Sequence, residues 1–215
     1  MEDYIYGGVS GLIQAVVGHP LDTLKVRIQN GSTKLRSPMA GLKYPLLTSV
    51  GICSASFGTY ELLRKKDIGP FWGGFISGTI MSPMVFLADI GKVKRQTGKV
   101  LKWDAVIRQK GLSTTACRES ISFGFYFMTF ESARKSEIHP LISGGLAGMI
   151  SWTSTYPLDV MRNRQISNNW SAVKAAAHGN MWKGYGVCMA RAFLVNSVGF
   201  YAYDFLRRNR PLGQN

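Results

Sequence analysis

Three acid–base boxes carry the residues of this chain best placed to do chemistry. They read Pro20-Leu-Asp22-Thr-Leu-Lys25-Val-Arg27, Leu87-Ala-Asp89-Ile-Gly-Lys92-Val-Lys94 and Pro157-Leu-Asp159-Val-Met-Arg162-Asn-Arg164. From Asp22 to Asp89 is 67 residues, and from Asp89 to Asp159 is 70. A second series follows each box: Tyr60-Glu61-Leu-Leu-Arg64, Phe130-Glu131-Ser-Ala-Arg134 and Tyr203-Asp204-Phe-Leu-Arg207. In both series acid and base stand three apart, on one face of a helix. Such pairs can exchange ionic partners; they cannot by themselves make or break bonds. The histidines, His19, His139 and His178, are scattered, and no Ser-His-acid, metal-ligand or phosphate-loop pattern accompanies them. Neither catalysis nor a cofactor is expected.

The elements that must hold these boxes repeat with them. Nine residues before each box stands Gly11, Gly78 or Gly148, and four residues earlier Gly7, Gly74 or Gly144. Each unit therefore opens on G-x-x-x-G within an apolar run, which lets two membrane helices approach closely. Gly41, Gly111 and Gly184 each precede a further apolar segment that ends in the second acid–base pair. An internal period of this kind sets the architecture before local propensity does. The expected fold is all-α, with helices over 4–29, 43–66, 71–97, 112–136, 140–166 and 186–208. Each is long enough for the ~20 residues of a membrane span. One domain, 1–215, divides into repeats 1–68, 69–138 and 139–215.

Composition agrees with a bundle around a polar interior. Hydrophobic residues make up 46% of the chain, yet mean hydropathy is only +0.01. That balance fits helices with one apolar and one polar face. The net charge of +14 resides at helix ends and in short loops rather than in a stripe with interleaved aromatics. It suits anionic lipid headgroups, and a cavity field attractive to anions, better than nucleic acid. Cys53, Cys117 and Cys188 lack metal-ligand spacing and read as small apolar helix residues. The first residues, Met-Glu-Asp-Tyr, show no basic or Arg-rich leader.

The pattern P-x-[DE]-x-x-[KR]-x-[KR], three times over and each time followed by [FY]-[DE]-x-x-[RK], resembles the mitochondrial carrier family along the whole chain. The resemblance implies three tandem two-helix repeats, pseudo-threefold symmetry, one central site and alternating access. It implies a monomer, multi-pass in the mitochondrial inner membrane without a cleavable presequence, in contact with anionic lipid such as cardiolipin. With three helices converging, Asp22, Asp89 and Asp159 would each take Lys25, Lys92 or Arg162 from another repeat and close the matrix side. Gln29 and Gln96 match the family's bracing glutamine, whereas the third such position is Ile166, with Gln165 beside it. Glu61, Glu131 and Asp204 with Arg64, Arg134 and Arg207 would close the opposite side, braced by Tyr60 and Tyr203; Phe130 has no hydroxyl to offer. Pro20 and Pro157 would kink their helices by removing a backbone hydrogen bond. In the middle box Leu87 replaces the proline, and Pro83 stands one turn earlier.

The chain is short for this family, and the gaps that normally hold surface helices are reduced. Eleven residues separate Gln29 from Gly41, 14 separate Gln96 from Gly111, and 18 separate Gln165 from Gly184. Only the last, around Trp170 to His178, has room for a couple of helical turns, so the matrix helices are expected to be abbreviated.

Seven residues after the three helix-opening glycines stand Thr48, Arg118 and Arg191. An ionisable residue so deep in a span marks a functional site. The doublet Arg118-Glu119 resembles the amino-acid and carnitine branches, and the surrounding segment looks like the ornithine-type sequence. Arg118 would take a carboxylate, Glu119 an ammonium, and Arg191 a second anion. Trp152 would offer its face to a cation. On the second helix an acid is expected near Ser49 or Ile52, and neither balances a cationic side chain. The resemblance implies an exchanger or uniporter for an amino acid, a basic amino acid or a carnitine-type zwitterion. Two alternatives stay open: a carrier of nucleotides or other anions, and a shortened relic or scaffold that does not transport.

Overall fold

The computed structural model describes residues 2–31, 37–98, 106, 108–137 and 140–208. Among them are six long helices and one short one, and no strand. The long helices are α1 (Glu2–Gln29), α2 (Lys43–Arg64), α3 (Pro70–Gln96), α4 (Leu112–Lys135), α5 (Pro140–Asn168) and α7 (Tyr185–Arg208); α6 is Ala172–Ala177. Their ends fall within a few residues of the sequence expectation, because glycine and proline punctuate them. Pro70 opens α3, where its missing N–H has no helical partner to lose. Helices α1, α3 and α5 pass through Pro20, Pro83 and Pro157 without interruption. In the third gap, Ser171 caps α6 by accepting a hydrogen bond from the Lys174 amide at 3.3 Å.

The glycines that precede α2, α4 and α7 have φ of 86°, 124° and 86°, the left-handed region that a side chain strains. Each also abuts the next odd helix in cyclic order. A Cβ on Gly41 would stand 2.9 Å from the Lys92 carbonyl of α3, one on Gly111 3.5 Å from Gln165 of α5, and one on Gly184 3.5 Å from the Lys25 carbonyl of α1. The linkers are thereby pinned where the acid–base boxes lie. His19 Nε2 meets the Ala40 carbonyl at 3.0 Å, and Thr23 Oγ1 donates to the Pro38 carbonyl at 2.7 Å, so the first linker is tied back to α1.

The most extensive contacts join α3 to α4 and α4 to α5, followed by α1 to α7 and α2 to α3. Small residues and short hydroxyl bridges make them. Ser77 donates to the Ser56 carbonyl at 2.7 Å, Thr79 and Ser120 hydroxyls meet at 2.7 Å, and those of Ser122 and Ser151 at 2.6 Å. Where α1, α3 and α5 converge, Val26, Phe86, Ile90, Val93 and Ile166 form a buried apolar cluster. Ile166 is fully buried there. One helix among the described residues, α3, is long and apolar enough by length and composition to cross a membrane. The others dilute their apolar residues with groups such as Arg118 and Glu119, which are buried inside the bundle.

Gly74 and Gly78 lie against the backbone of α4: a Cβ on either would run into the carbonyls of Phe123 and Glu119, respectively. Backbone cannot give way as a flexible side chain can. Gly78→Val is therefore expected to cost about 3 kcal/mol, the upper part of the overpacking range, read as a lower unfolding temperature in detergent. Unchanged stability would show that α3 and α4 are not so closely apposed. For the third pair the described residues show no such contact. A Cβ on Gly144 or Gly148 meets no described atom within 4 Å. Helices α5 and α7 touch lower down, where Tyr156, Val160 and Cys188 cluster, so this part of α5 has no described neighbour to receive the glycines. Gly7 and Gly11 lie on the α1 backbone, and their surroundings fall outside the described residues.

Candidate functional site

The three boxes meet in a closed ring of ion pairs, each between different repeats. Lys25 Nζ lies 2.7 Å from Asp159, Lys92 Nζ 3.1 Å from Asp22, and Arg162 Nη1 2.7 Å from Asp89. The Lys25–Asp159 arm is the most buried: its side chains are 5% and 0% exposed. Arg162 also meets Asp159 of its own helix at 2.9 Å. At such burial an unpaired member would be costly, so the ring holds as a unit.

The two glutamines occupy different settings. Gln29 donates to Asp159 and to the Tyr156 hydroxyl, both at 3.2 Å, and accepts from Asn163 at 2.6 Å. It lies directly beneath the Lys25–Asp159 pair. Gln96 donates to the Thr23 hydroxyl at 3.2 Å. Thr23 in turn donates to the Pro38 carbonyl, so among the described residues the Gln96 amide leads to the first linker rather than to a ring member.

Against this ring lies a cavity of about 250 Å³ between α4 and α5, lined by Arg118, Glu119, Ser122, Phe123, Tyr126, Gly148, Ser151 and Trp152. Arg118 is ion-paired with Glu119, and its guanidinium carbon stands 4.7 Å over the Trp152 ring. Lys25 Nζ stands 4.1 Å over the same ring. The protein's own cations thus occupy the aromatic face that the sequence suggests for a ligand cation. Arg191 Nε lies 2.5 Å from Asp22, so this expected anion contact is also engaged internally. Thr48 donates to the Tyr44 carbonyl of its own helix at 2.9 Å and lines neither this cavity nor the smaller one inside the ring. The reason is that a helical threonine readily satisfies itself one turn back.

The opposite acid–base series is not bridged between helices among the described residues. Glu61 and Arg64 pair within α2 at 2.8 Å, with side chains 45% exposed. Glu131 and Arg134 pair within α4 at 3.8 Å. The Glu61–Arg64 pair, exposed on both sides, is of the weak and readily rearranged kind, whereas in the second pair Glu131 is largely buried and Arg134 exposed. Tyr60 is buried, its ring stacked on Phe127 at 3.6 Å and its hydroxyl without a hydrogen-bond partner. Among the described residues it makes no hydrogen bond to Glu61 or Glu131. The side chains of Ser49, Tyr203, Asp204 and Arg207 lie outside the described residues.

Two features escaped the motif reading. One is the link between cavity and ring: the Glu119 carboxylate meets both Arg118 and, at 3.2 Å, Arg162. Nothing in the spacing of residues 119 and 162 announces that meeting. The other is the last base of the boxes. Arg164 is buried and donates to the carbonyls of Gln29, Ala175, Gly179 and Asn180 at 3.2, 3.1, 2.7 and 3.2 Å. Arg27 donates to the Gln96 carbonyl at 2.6 Å. Each thus satisfies the carbonyl end of another odd helix. A base in the last turns of a helix, beside other helix ends, is the available signal.

The model described as mitochondrial carrier protein matches residues 1–91 and 134–178 of this chain. Among similar proteins, the mitochondrial arginine transporter BAC2 of Arabidopsis thaliana is 27% identical over 268 residues, covering 96% of this chain and 90% of that protein. The mitochondrial basic amino acids transporter of Bos taurus is 30% identical over 263 residues, covering 92% and 88%. The glutamate/glycine mitochondrial carrier ymc1 of Schizosaccharomyces pombe is 25% identical over 276 residues, covering 94% and 92%. These alignments run longer than the 215 residues of this chain, so the relatives hold segments that it lacks.

Proposed function

Because the chain belongs to the mitochondrial carrier family, and is thereby a transporter of a small metabolite, we propose that it moves an amino-acid-type zwitterion across the mitochondrial inner membrane by alternating access. The observation that carries this reading is the cyclic ring Asp22–Lys92, Asp89–Arg162, Asp159–Lys25 lying against a cavity floored by Arg118 and Glu119. In this reading six helices span the bilayer as three repeats, a single chain completes the ring, and anionic lipid surrounds it. The cyclic contacts of Gly41, Gly111 and Gly184 support the threefold arrangement.

The ring is the matrix gate, with Gln29 and Gln96 as its supports. The pairs Glu61–Arg64 and Glu131–Arg134, with Asp204 and Arg207, form the cytoplasmic gate, braced by Tyr60 and Tyr203. A shut ring together with unbridged outer pairs corresponds to a state open toward the cytoplasm. Substrate entering the cavity offers its carboxylate to Arg118 and Arg191 and its ammonium to Glu119. It thereby replaces internal pairs and lowers the cost of opening the ring. Trp152 aligns Lys25 and Arg118 for that exchange. On this view Thr48 and Ser49 shape the mouth rather than the floor. Opening one gate while the other shuts needs only a differential of a few kcal/mol between states.

A small carboxylate anion is the second reading. Among the described residues of ring and cavity, the bases Lys25, Lys92, Arg162, Arg118 and Arg191 face the carboxylates of Asp22, Asp89, Asp159 and Glu119, which leaves one positive charge unmatched. A nucleotide fits less well, since 250 Å³ is below the roughly 300–1,000 Å³ of sites for drug-sized ligands.

The test is exchange of labelled amino acids, carnitine and ATP by the purified protein in liposomes. The expected result is exchange of a zwitterion that falls about 100-fold in Arg118→Ala, the loss of one buried charge partner. Exchange of ATP alone, or no flux of any solute by folded protein, would overturn the reading.

A further inference from the structure

We propose that the transported amino acid has an uncharged side chain, and that this side chain lodges between α4 and α5 against Gly148. The inference rests on the amino-acid reading above and narrows it to one class.

The argument begins with charge. Along α2 from Tyr44 to Tyr60 there is no aspartate or glutamate. Among the described residues lining the cavity the one carboxylate is Glu119, and it already meets Arg118 and Arg162. A substrate ammonium can share Glu119 while its own carboxylate compensates Arg118, so charge is conserved locally. A second cationic group at the end of a side chain would have no carboxylate left. Taking one would strand a buried guanidinium, whose lone burial is strongly unfavourable. The Trp152 ring is no refuge, because Lys25 and Arg118 stand over it. The excess of one base over the carboxylates adds repulsion.

Shape points the same way. Phe123, Tyr126 and Gly148 give the cavity an apolar wall. Gly148 of the third G-x-x-x-G lines the cavity, and a Cβ on it would meet no described atom within 4 Å. Ser122 and Ser151, whose hydroxyls meet at 2.6 Å, leave polar acceptors at the base of the same wall. Arg118 retains a buried Nε–H with no hydrogen-bond partner, which a ligand carboxylate would satisfy. The juxtaposition is that of an anion anchor beside a neutral, space-limited pocket.

The experiment uses the full chain in liposomes with alanine, leucine, phenylalanine, lysine and arginine as competitors, and Gly148→Leu and Gly148→Ala as variants. Thermal shift of the detergent-solubilised protein by the same five amino acids reads binding and folding without flux. Neutral amino acids are expected to compete at least tenfold better than lysine or arginine. Gly148→Leu should lower the leucine-to-alanine uptake ratio at least tenfold, and Gly148→Ala should lower it less. Preference for lysine or arginine, or a leucine-to-alanine ratio unchanged in a folded Gly148→Leu protein, overturns the inference while leaving an amino-acid carrier standing. Transport or thermal shift by some other solute, with no response to any of the five, overturns the amino-acid reading as well.

Discussion

Arg162→Leu should abolish exchange and cost about 3–5 kcal/mol of stability, the range for removing one partner of a buried ionic group. Among the described residues Arg162 is the one base that meets three carboxylates, Asp89, Asp159 and Glu119. Two of these keep other cations: Asp159 retains Lys25, and Glu119 retains Arg118. Asp89 keeps no other ion pair among the described residues. The loss should therefore be relieved most by removing Asp89. The double variant Arg162→Leu with Asp89→Leu is expected to regain much of the stability but none of the exchange. Arg162→Lys should fall between, since a single ammonium cannot reproduce the fork of a guanidinium. Thermal unfolding in detergent, set beside exchange in liposomes, separates the two effects. A stable, active Arg162→Leu protein would show that the ring bears neither on gating nor on folding.

Arg164→Met should be nearly as damaging to stability while sparing the chemistry of the cavity. Its guanidinium satisfies carbonyls at the end of α1, at the end of α6 and in the turn after it. Leaving buried acceptors unsatisfied costs about 1–3 kcal/mol each, and water reaching the outermost would relieve some of that. A net loss of about 3 kcal/mol or more is expected, with the apparent affinity for substrate unchanged in the protein that survives. Such a separation would mark Arg164 as a support. A change in substrate preference with unaltered stability would contradict it. The role is consequential in a chain whose relatives carry longer segments: here α6 and one arginine brace a region where little other structure is described.

The helices were legible because their signals are local. Glycines and prolines mark the ends, and an acid and base three apart require only one helix to be understood. The members of the ring were legible for the same reason, since each box contains its own acid and base. Which base serves which acid was not, because the choice depends on how α1, α3 and α5 converge. Glu119 shows the limit most clearly. Its partner Arg118 is adjacent in sequence, whereas Arg162 is 43 residues away on another helix. Gly148 shows another limit: G-x-x-x-G states that backbone could approach, and the surroundings decide whether it does. Gly74 and Gly78 receive α4, whereas a Cβ on Gly148 meets no atom of the described residues within 4 Å. Thr48 was placed by register alone, and a hydroxyl that can bond its own helix is weakly constrained by register.

The ring also imposes an order in time. Lys92 can find Asp22 across 70 residues, as soon as two repeats exist. The arm that joins α1 to α5 spans far more chain, as the 130 residues between Gln29 and Asp159 indicate. Long loops close slowly, and contacts distant in sequence form late. Until α5 arrives, Lys25 and Asp89 both lack their partners in the finished ring, Asp159 and Arg162, while the ring acids and bases of the first two repeats balance two against two. Two of the three arms of the ring therefore close only with the third repeat, whose box supplies both Asp159 and Arg162.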